Sequence, residues 1–391
     1  MKFLLTAFIV LSIIHLLLAY HLPSFIPHGH FPYDDLIRKN FGVYPLTFFA
    51  NFDGYQYLSI AGQGYHQLQQ SYFPLFPILV FLVSTIFSKN YVLSGIVVSW
   101  TCYLLGLIYF KKYIDELLKD KIQTRWAIVF LVTFPTAFFY QVIYPESLFL
   151  FLSAASLYYL SRKKYLPATV FVFFASLTKI QGMLLIIPFF LTVFEAHWLQ
   201  LRNLSLLKTQ AFSLRMYRQV FVTLSPVYGL LVFSGYLYFN YKDPLYFYHA
   251  QSAFGANRAT DKLVLVPQVL YRYIKIFYFA QTNLIYWIAW LEFLIFLLVT
   301  GVLLFDLFLL MKREEKNTPQ ISLDLYSLAA ILLPSLTGTL TSLPRYALIS
   351  FGLFTALSKI KSTTIKVLIV VTFLTLQILL FIYFLKGYFV S

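Results

Sequence analysis

Apolar runs recur along the chain from Phe3 to Val390, with no block of soluble character between them. A helix that crosses a bilayer needs about 20 predominantly apolar residues, and most of these runs approach that length. The first, Phe3 to Tyr20 behind Lys2, fits the start of a signal peptide or a first transmembrane helix. No small-x-small cleavage pattern follows it cleanly, so a retained helix is expected. Further runs are Tyr91 to Phe110, Trp126 to Gln141, Pro145 to Leu160, Leu166 to Trp198, Leu284 to Met311 and a last run behind Lys366. Tyr72 to Ser88 is also apolar, but Pro74 and Pro77 stand near its start.

The cations between the runs set their orientation. Lys111, Lys112, Lys119, Lys121 and Arg125 form one cluster; Arg162, Lys163 and Lys164 a second; Arg202, Lys208, Arg215 and Arg218 a third. Lys312, Arg313 and Lys316 follow, then Lys359, Lys361 and Lys366. Short loops rich in Lys and Arg stay on the cytoplasmic side. All the clusters share one side only if Tyr72 to Ser88 does not cross, and if Leu166 to Trp198 is two short helices hinged at Thr178 to Gly182. The expected fold is then an all-α polytopic membrane protein of about eleven spans, amino terminus inside and carboxyl terminus outside. It forms one transmembrane domain over residues 1–391, with long outer loops at 21–90 and 241–283. Five segments collect on the outer face: the Asp53 loop, the stretch around Glu146, SLTKIQG, the 241–283 loop and TSLPRYALI. Polar residues embedded in apolar sequence there suit a water-filled cleft at the membrane surface.

Composition agrees with this setting. Hydrophobic residues make up 60% of the chain and charged residues 12%, about half the usual soluble fraction. Mean hydropathy is +0.75. The net charge of +15 would suggest nucleic acid in a soluble chain. Here the cations sit in short clusters between apolar runs, so lipid phosphates and not nucleic acid are the expected partners. Cys102 is the one cysteine, which excludes an internal disulfide and a cysteine zinc site. No heptad run, low-complexity tail or internal repeat is evident.

The candidate chemistry centres on Asn51 to Pro77, where Asp53 lies among Phe52, Tyr55 and Tyr57. Asp53 reads either as an amino-terminal cap for Gly54 to Ala61 or as a general base that takes a proton from a sugar hydroxyl. Tyr55, Tyr57, Tyr65, Tyr72 and Phe73 offer flat faces that suit both sugars and the interfacial belt of a membrane protein. Glu146, behind Pro145, either favours a helix dipole or orients an acceptor or cation beside Asp53. Lys179 interrupts a long apolar run, so its ammonium needs a partner: headgroups, or the phosphate of a lipid donor. Arg345, in Leu343-Pro344-Arg345-Tyr346, invites the same reading with the bidentate grip of a guanidinium. His249, Gln251, Asn257 and Arg258 are polar enough to bind sugar or phosphate, or they form a solvated surface.

Several reaction classes lack their motifs. Gly62-Gln63-Gly64 is not a dinucleotide fingerprint, and neither a P-loop nor a His-Glu-x-x-His zinc motif occurs. Asn203-Leu204-Ser205 matches a glycosylation sequon but falls among the inner cations. Without a nucleotide-binding domain, an activated sugar would arrive attached to a lipid phosphate.

The order of four pieces resembles the PIG-V-like mannosyltransferases, the family of GPI mannosyltransferase II and its prokaryotic relatives among the GT-C glycosyltransferases. These pieces are FDGYQYLSIAGQGY with YFPLFPIL, then FPTAFFYQVIYPESLFLFLSAA, then ASLTKIQGMLLIIP, then SLPRYALISFGLF. They run from Phe52 to Phe354. The resemblance implies a GT-C fold with juxtamembrane helices in the first outer loop, and an extracytoplasmic or luminal active site with Asp53 as catalytic carboxylate. It also implies a polyprenyl-phosphate-mannose donor, a lipid-linked glycan or other acceptor, and an inverting displacement. Arg345, Lys179 and Arg258 are then the expected donor-phosphate ligands. Glu146, Tyr55, Tyr57, His249 and Gln251 are the expected acceptor or sugar contacts, and no metal or other cofactor is expected. The chain departs from the family at Phe52, where a Trp is usual, and at Lys179-Ile180-Gln181, where Arg followed by Ser or Asn is common. The rivals are a transporter of polyprenyl-phosphate-linked lipids, and a GT-C enzyme that uses another sugar.

Overall fold

A computed structural model describes residues 2–23, 25–29, 31, 33–41, 45–201, 214–251, 263–314 and 317–390, with backbone alone for 194–201 and 214–216. The regular elements among the described residues are all helical, with no strand. In chain order the α-helices are α1 (Lys2–Tyr20), α2 (Asp34–Phe41), α3 (Asp53–Gln63), α4 (Leu75–Ser84), α5 (Tyr91–Leu118), α6 (Lys121–Thr133), α7 (Glu146–Ser161), α8 (Tyr165–Ser176) and α9 (Ile186–Leu201). They continue as α10 (Leu214–Tyr241), α11 (Tyr246–His249), α12 (Val266–Phe279), α13 (Leu284–Met311), α14 (Thr318–Ser335), α15 (Leu343–Tyr346), α16 (Phe351–Ser358) and α17 (Thr363–Leu385).

Five of the described helices are long and apolar enough to cross a membrane: α1, α5, Tyr217–Tyr241 within α10, α13 and α17. Their 19 to 28 residues measure about 28 to 42 Å, against a hydrocarbon core of about 30 Å. Leu17, Val232, Phe305 and Leu368 on these helices are more than half exposed, which suits lipid contact better than water. Together with the composition, these helices suggest a membrane protein. By contrast α4 has ten residues, about 15 Å, and is too short to cross alone.

The shorter helices come in pairs that break at the same end of the bundle. α6 and α7 are joined by 134–145, α8 and α9 by 177–185, and α14 and α16 by 336–350. Each break has a local cause. Phe134 precedes Pro135 and leaves the helix with ψ 142°, and Pro145 stands just before α7, where its missing N–H costs nothing. Between α8 and α9, Gly182 lies so close to the end of α8 that an added Cβ would sit 2.5 Å from the Ser176 Cα. This break lies within Thr178 to Gly182 and the turn that follows, where the cation pattern called for a hinge.

Irregular backbone is tolerated at membrane depth only where protein buries it and satisfies its polar groups. Phe134 to Tyr144 meets both conditions, since all of these residues are buried. The Ile143 N–H donates to Phe49 O (2.9 Å) and the Trp100 Nε1–H to Gln141 O (2.9 Å). From within the segment, Thr136 Oγ1 donates to Pro344 O (2.7 Å) and the Tyr140 hydroxyl to Leu348 O (2.8 Å). The last two bonds tie the first break to the third. α5 and α7 lie side by side below, with Gly95 against Ile143, Gly106 against Leu150 and Glu116 bonded to Arg162 at the far end.

Candidate active site

Asp53 is the first residue of α3, and the backbone just before it is strained. Phe52 has φ 57° and ψ −117°, a region that costs a bulky residue roughly 1–3 kcal/mol. Its ring is held by Phe31, Phe384 and Phe389, at 4.8, 5.9 and 5.9 Å between centroids. The Asp53 N–H donates to the Tyr144 hydroxyl (3.1 Å), which in turn donates to Asn51 O (3.0 Å). Asn51 Nδ2 donates to Phe384 O (2.8 Å), anchoring the turn to the end of α17. Gly54 follows, where a Cβ would press on Ile143 O at 3.3 Å. Phe52, not Asp53, occupies the cap position, and no side chain caps α3.

The carboxylate of Asp53 therefore faces away from the helix amides and meets residues from distant segments. Arg345 Nη1 donates to Asp53 Oδ2 at 2.6 Å, across 292 positions of sequence. The Tyr72 hydroxyl donates to Oδ1 at 3.1 Å. Arg345 Nε also lies 3.5 Å from Glu146 Oε1, and Lys179 Nζ donates to that same oxygen at 2.8 Å. Glu146 Oε2 is buried with no hydrogen-bond partner among the described residues. Two carboxylates and two cations thus form one chain, Asp53–Arg345–Glu146–Lys179. It joins the start of α3, the start of α7, the α8–α9 break and α15.

Exposure is unequal along this chain. The Asp53 side chain is 31% exposed and Arg345 12%, while Glu146 is at 1%. The site opens to solvent at Asp53 and closes at Glu146. Aromatic faces line it: the Arg345 guanidinium lies 5.4 Å from the Tyr144 ring centre and 5.5 Å from that of Phe139, and Lys179 Nζ lies 5.4 Å from that of Tyr346. Burial works against the charge of Arg345, but the Asp53 and Glu146 carboxylates outweigh it and hold the guanidinium well above its ordinary value. Burial first, and the Asp53 charge second, push the Tyr72 and Tyr144 phenols well above theirs. Both remain hydrogen-bond donors at neutral pH.

Of the residues expected from sequence, Asp53, Glu146, Lys179 and Arg345 come together. Tyr57 lies beneath them, buried edge-on against Tyr72 (5.1 Å) and Phe76 (5.3 Å). Tyr55 turns to the other side of α3 and stacks on Tyr33 at 4.9 Å. His249, on α11, pairs with Asp243 at 2.7 Å on an exposed surface. α11 leans on the turn before Tyr72, where Ser71 Oγ donates to Phe247 O at 3.2 Å. Gln251 is half-buried just beyond α11, and Asn257 and Arg258 lie outside the described residues.

Sequence reasoning missed Tyr144 and Asn51 as the pair that orients Asp53, and took Tyr72 for a stacking face instead of a donor. The only signal was position, since each lies within two residues of a candidate acid or inside the same aromatic stretch. Among the described residues, no three metal-ligating side chains converge. What the arrangement offers is a carboxylate at an opening, held by a donor on each oxygen, beside two cations that share a deeper carboxylate. It can take a proton at Asp53 and neutralise an anion at Arg345 and Lys179. No family model, curated protein or solved structure matches the chain.

Proposed function

We propose that the chain is a membrane glycosyltransferase that moves a sugar, mannose by its resemblance to the PIG-V-like family, from a polyprenyl-phosphate carrier to a hydroxyl of a glycolipid or glycan. The observation that carries this reading is the convergence of Asp53, Arg345, Glu146 and Lys179 from four distant segments onto one partly open cleft. A GT-C fold with about eleven spans is part of the proposal. In it α1, α5 to α10, α13, α14, α16 and α17 cross the membrane, and the three helix breaks meet on the extracytoplasmic side. The run of short and long helices supports that topology because every cation cluster then falls at the opposite side.

In the reaction, an Asp53 oxygen takes the proton of the acceptor hydroxyl while that oxygen attacks C1 of the sugar. The C1–O bond to phosphate breaks on the opposite face, and its electron pair leaves with the lipid phosphate, inverting the anomeric centre. Arg345 links the two events. As Asp53 is protonated it loses its hold on the guanidinium, just when the departing phosphate gains negative charge. Lys179 adds a second cation. The unpartnered Glu146 oxygen accepts a sugar hydroxyl, relieving a buried acceptor that costs about 1–3 kcal/mol when unpaired.

A lipid transporter is the second reading, and one observation favours it: Asp306 and Asp324 are carboxylates buried inside helices α13 and α14. The deciding experiment compares purified wild type with Asp53→Asn in lipid, using labelled polyprenyl-phosphate-mannose and a panel of glycolipid acceptors. Transfer by wild type that falls about 10²–10⁴-fold in the variant, with donor binding kept, supports the glycosyltransferase. Equal transfer by both removes Asp53 from the chemistry, and donor movement across the bilayer without transfer replaces the enzyme by a transporter.

A further inference from the structure

A second charged cluster lies away from the Asp53 site, near the ends of α13 and α14 that the 312–317 connection joins. Lys359, just past α16, donates to Asp306 Oδ2 at 2.5 Å, and Asp306 is 6% exposed. Asp324 is fully buried. Its Oδ1 accepts from Gln320 Nε2 at 3.0 Å, and the same amide donates to Thr355 Oγ1 at 2.9 Å. Its Oδ2 has no donor, yet the Asp306 carboxyl lies within hydrogen-bonding reach of Asp324. The place is shaped for this carboxyl: a Cβ on Gly352 would lie 2.4 Å from Asp324 Oδ1. The Gly352 N–H meanwhile donates to Ser327 Oγ at 2.9 Å, one turn along α14.

Two ionised carboxylates only accept hydrogen bonds, so they cannot bond one another. The one ammonium paired here among the described residues is committed to Asp306, and like charges sharing a dry site cannot both persist. We infer that Asp306 and Asp324 form a proton-binding site in the membrane-spanning part of the chain, with one proton donated from Asp324 Oδ2 to Asp306. Asp306 stays ionised against Lys359, and the cluster is neutral. The titratable groups facing Asp324 are Asp306 from α13, Lys359 at the end of α16 and Tyr113 from α5. The side chains of α9 from residue 194 onward lie outside the described residues. α14 and α16 flank the segment that carries Arg345, so loss of this proton would strain the helices on which that segment hangs.

The test uses the full chain in detergent at neutral pH. Infrared spectra should show the carbonyl stretch of a protonated carboxylic acid that is absent from Asp324→Asn. The amide replaces the acid as donor to Asp306, so this variant should fold and melt within about 2 °C of wild type. Asp306→Asn leaves Lys359 unpaired and should melt lower by more than about 5 °C. Failure of Asp324→Asn to fold, or an unchanged protonated-acid band in it, overturns the inference. So does a rise in melting temperature on replacing choline by sodium or potassium that Asp324→Asn abolishes, which would make the site one for a monovalent cation.

Discussion

Among the described residues, two carboxylates meet two cations at the Asp53 end of the bundle, whereas at the Asp306 end two carboxylates meet one. The first cluster is balanced by side chains alone, and its members come from four segments far apart in sequence. It grades from a third exposed at Asp53 to fully buried at Glu146. In the second the two acids are buried within regular helices, and only Lys359, 24% exposed, reaches the surface. The contrast separates two uses of buried charge. An open, balanced row of alternating charges can hand one cation to an arriving anion and be repaid by a proton on Asp53. A closed, unbalanced pair has nothing to hand over and is completed by a proton that stays.

Arg345 should give the largest effect, because among the described residues it alone is a cation in contact with both carboxylates of the first cluster. Arg345→Ala is expected to lower sugar transfer about 10³-fold, while Arg345→Lys retains the charge, loses the fork and lowers it about 10–100-fold. Initial rates with labelled donor measure both. If the lysine and alanine variants lose equally, geometry alone matters and the row of charges does not act as a relay. If neither loses activity, the cluster is structural, and the contrast with the Asp306 end disappears.

Glu146→Gln comes next and acts on stability. Removing this charge leaves Lys179, 10% exposed, with its ammonium over the Tyr346 ring and no carboxylate. Breaking a buried pair in this way costs about 3 kcal/mol. A clear drop in melting temperature is expected, and Lys179→Met in the same chain should recover much of it, since the double variant has no stranded charge. Additive losses in the double variant would show that the two side chains do not share a site, and the first cluster would then end at Arg345.

The two clusters also differ in how far the sequence revealed them. Asp53, Glu146, Lys179 and Arg345 stood out because each interrupts or borders an apolar run at a turn signal: Gly54, Pro145, Gly182 and Pro344 mark the breaks. The α8–α9 hinge was legible for the same reason, through the side on which the cations must fall. Tyr144 and Asn51 were not legible, since their role depends on a strained turn at Phe52 that no residue type announces. Asp306 and Asp324 carried a signal that was passed over. Each is an acid embedded in an apolar helix, Asp306 sharing α13 with Glu292, and such a residue needs a named partner. The pairing itself was hidden, because α16 places Lys359 and Gly352 beside them from more than 25 positions away.

Tyr72→Phe should have the smallest effect and gives the sharpest reading of how Asp53 is held. The phenol donates to Oδ1 while Arg345 occupies Oδ2, so Tyr72 keeps the carboxylate aimed when the guanidinium turns toward an anion. Loss of one such bond is worth about 1 kcal/mol, or about fivefold in transfer. The variant also changes alkaline stability. Burial and the Asp53 charge raise the Tyr72 phenol well above its ordinary value of 10.0, so the folded chain holds this proton more tightly than the unfolded one. Stability from the neutral phenol is complete below about pH 10 and is lost as pH rises from there toward the folded value. Phe cannot ionise, so melting temperature should fall less steeply above pH 10 in Tyr72→Phe than in wild type. A variant with wild-type transfer and the wild-type alkaline slope would mean that Tyr72 does not hold Asp53, leaving its carboxylate to Arg345 and its backbone to Tyr144 and Asn51.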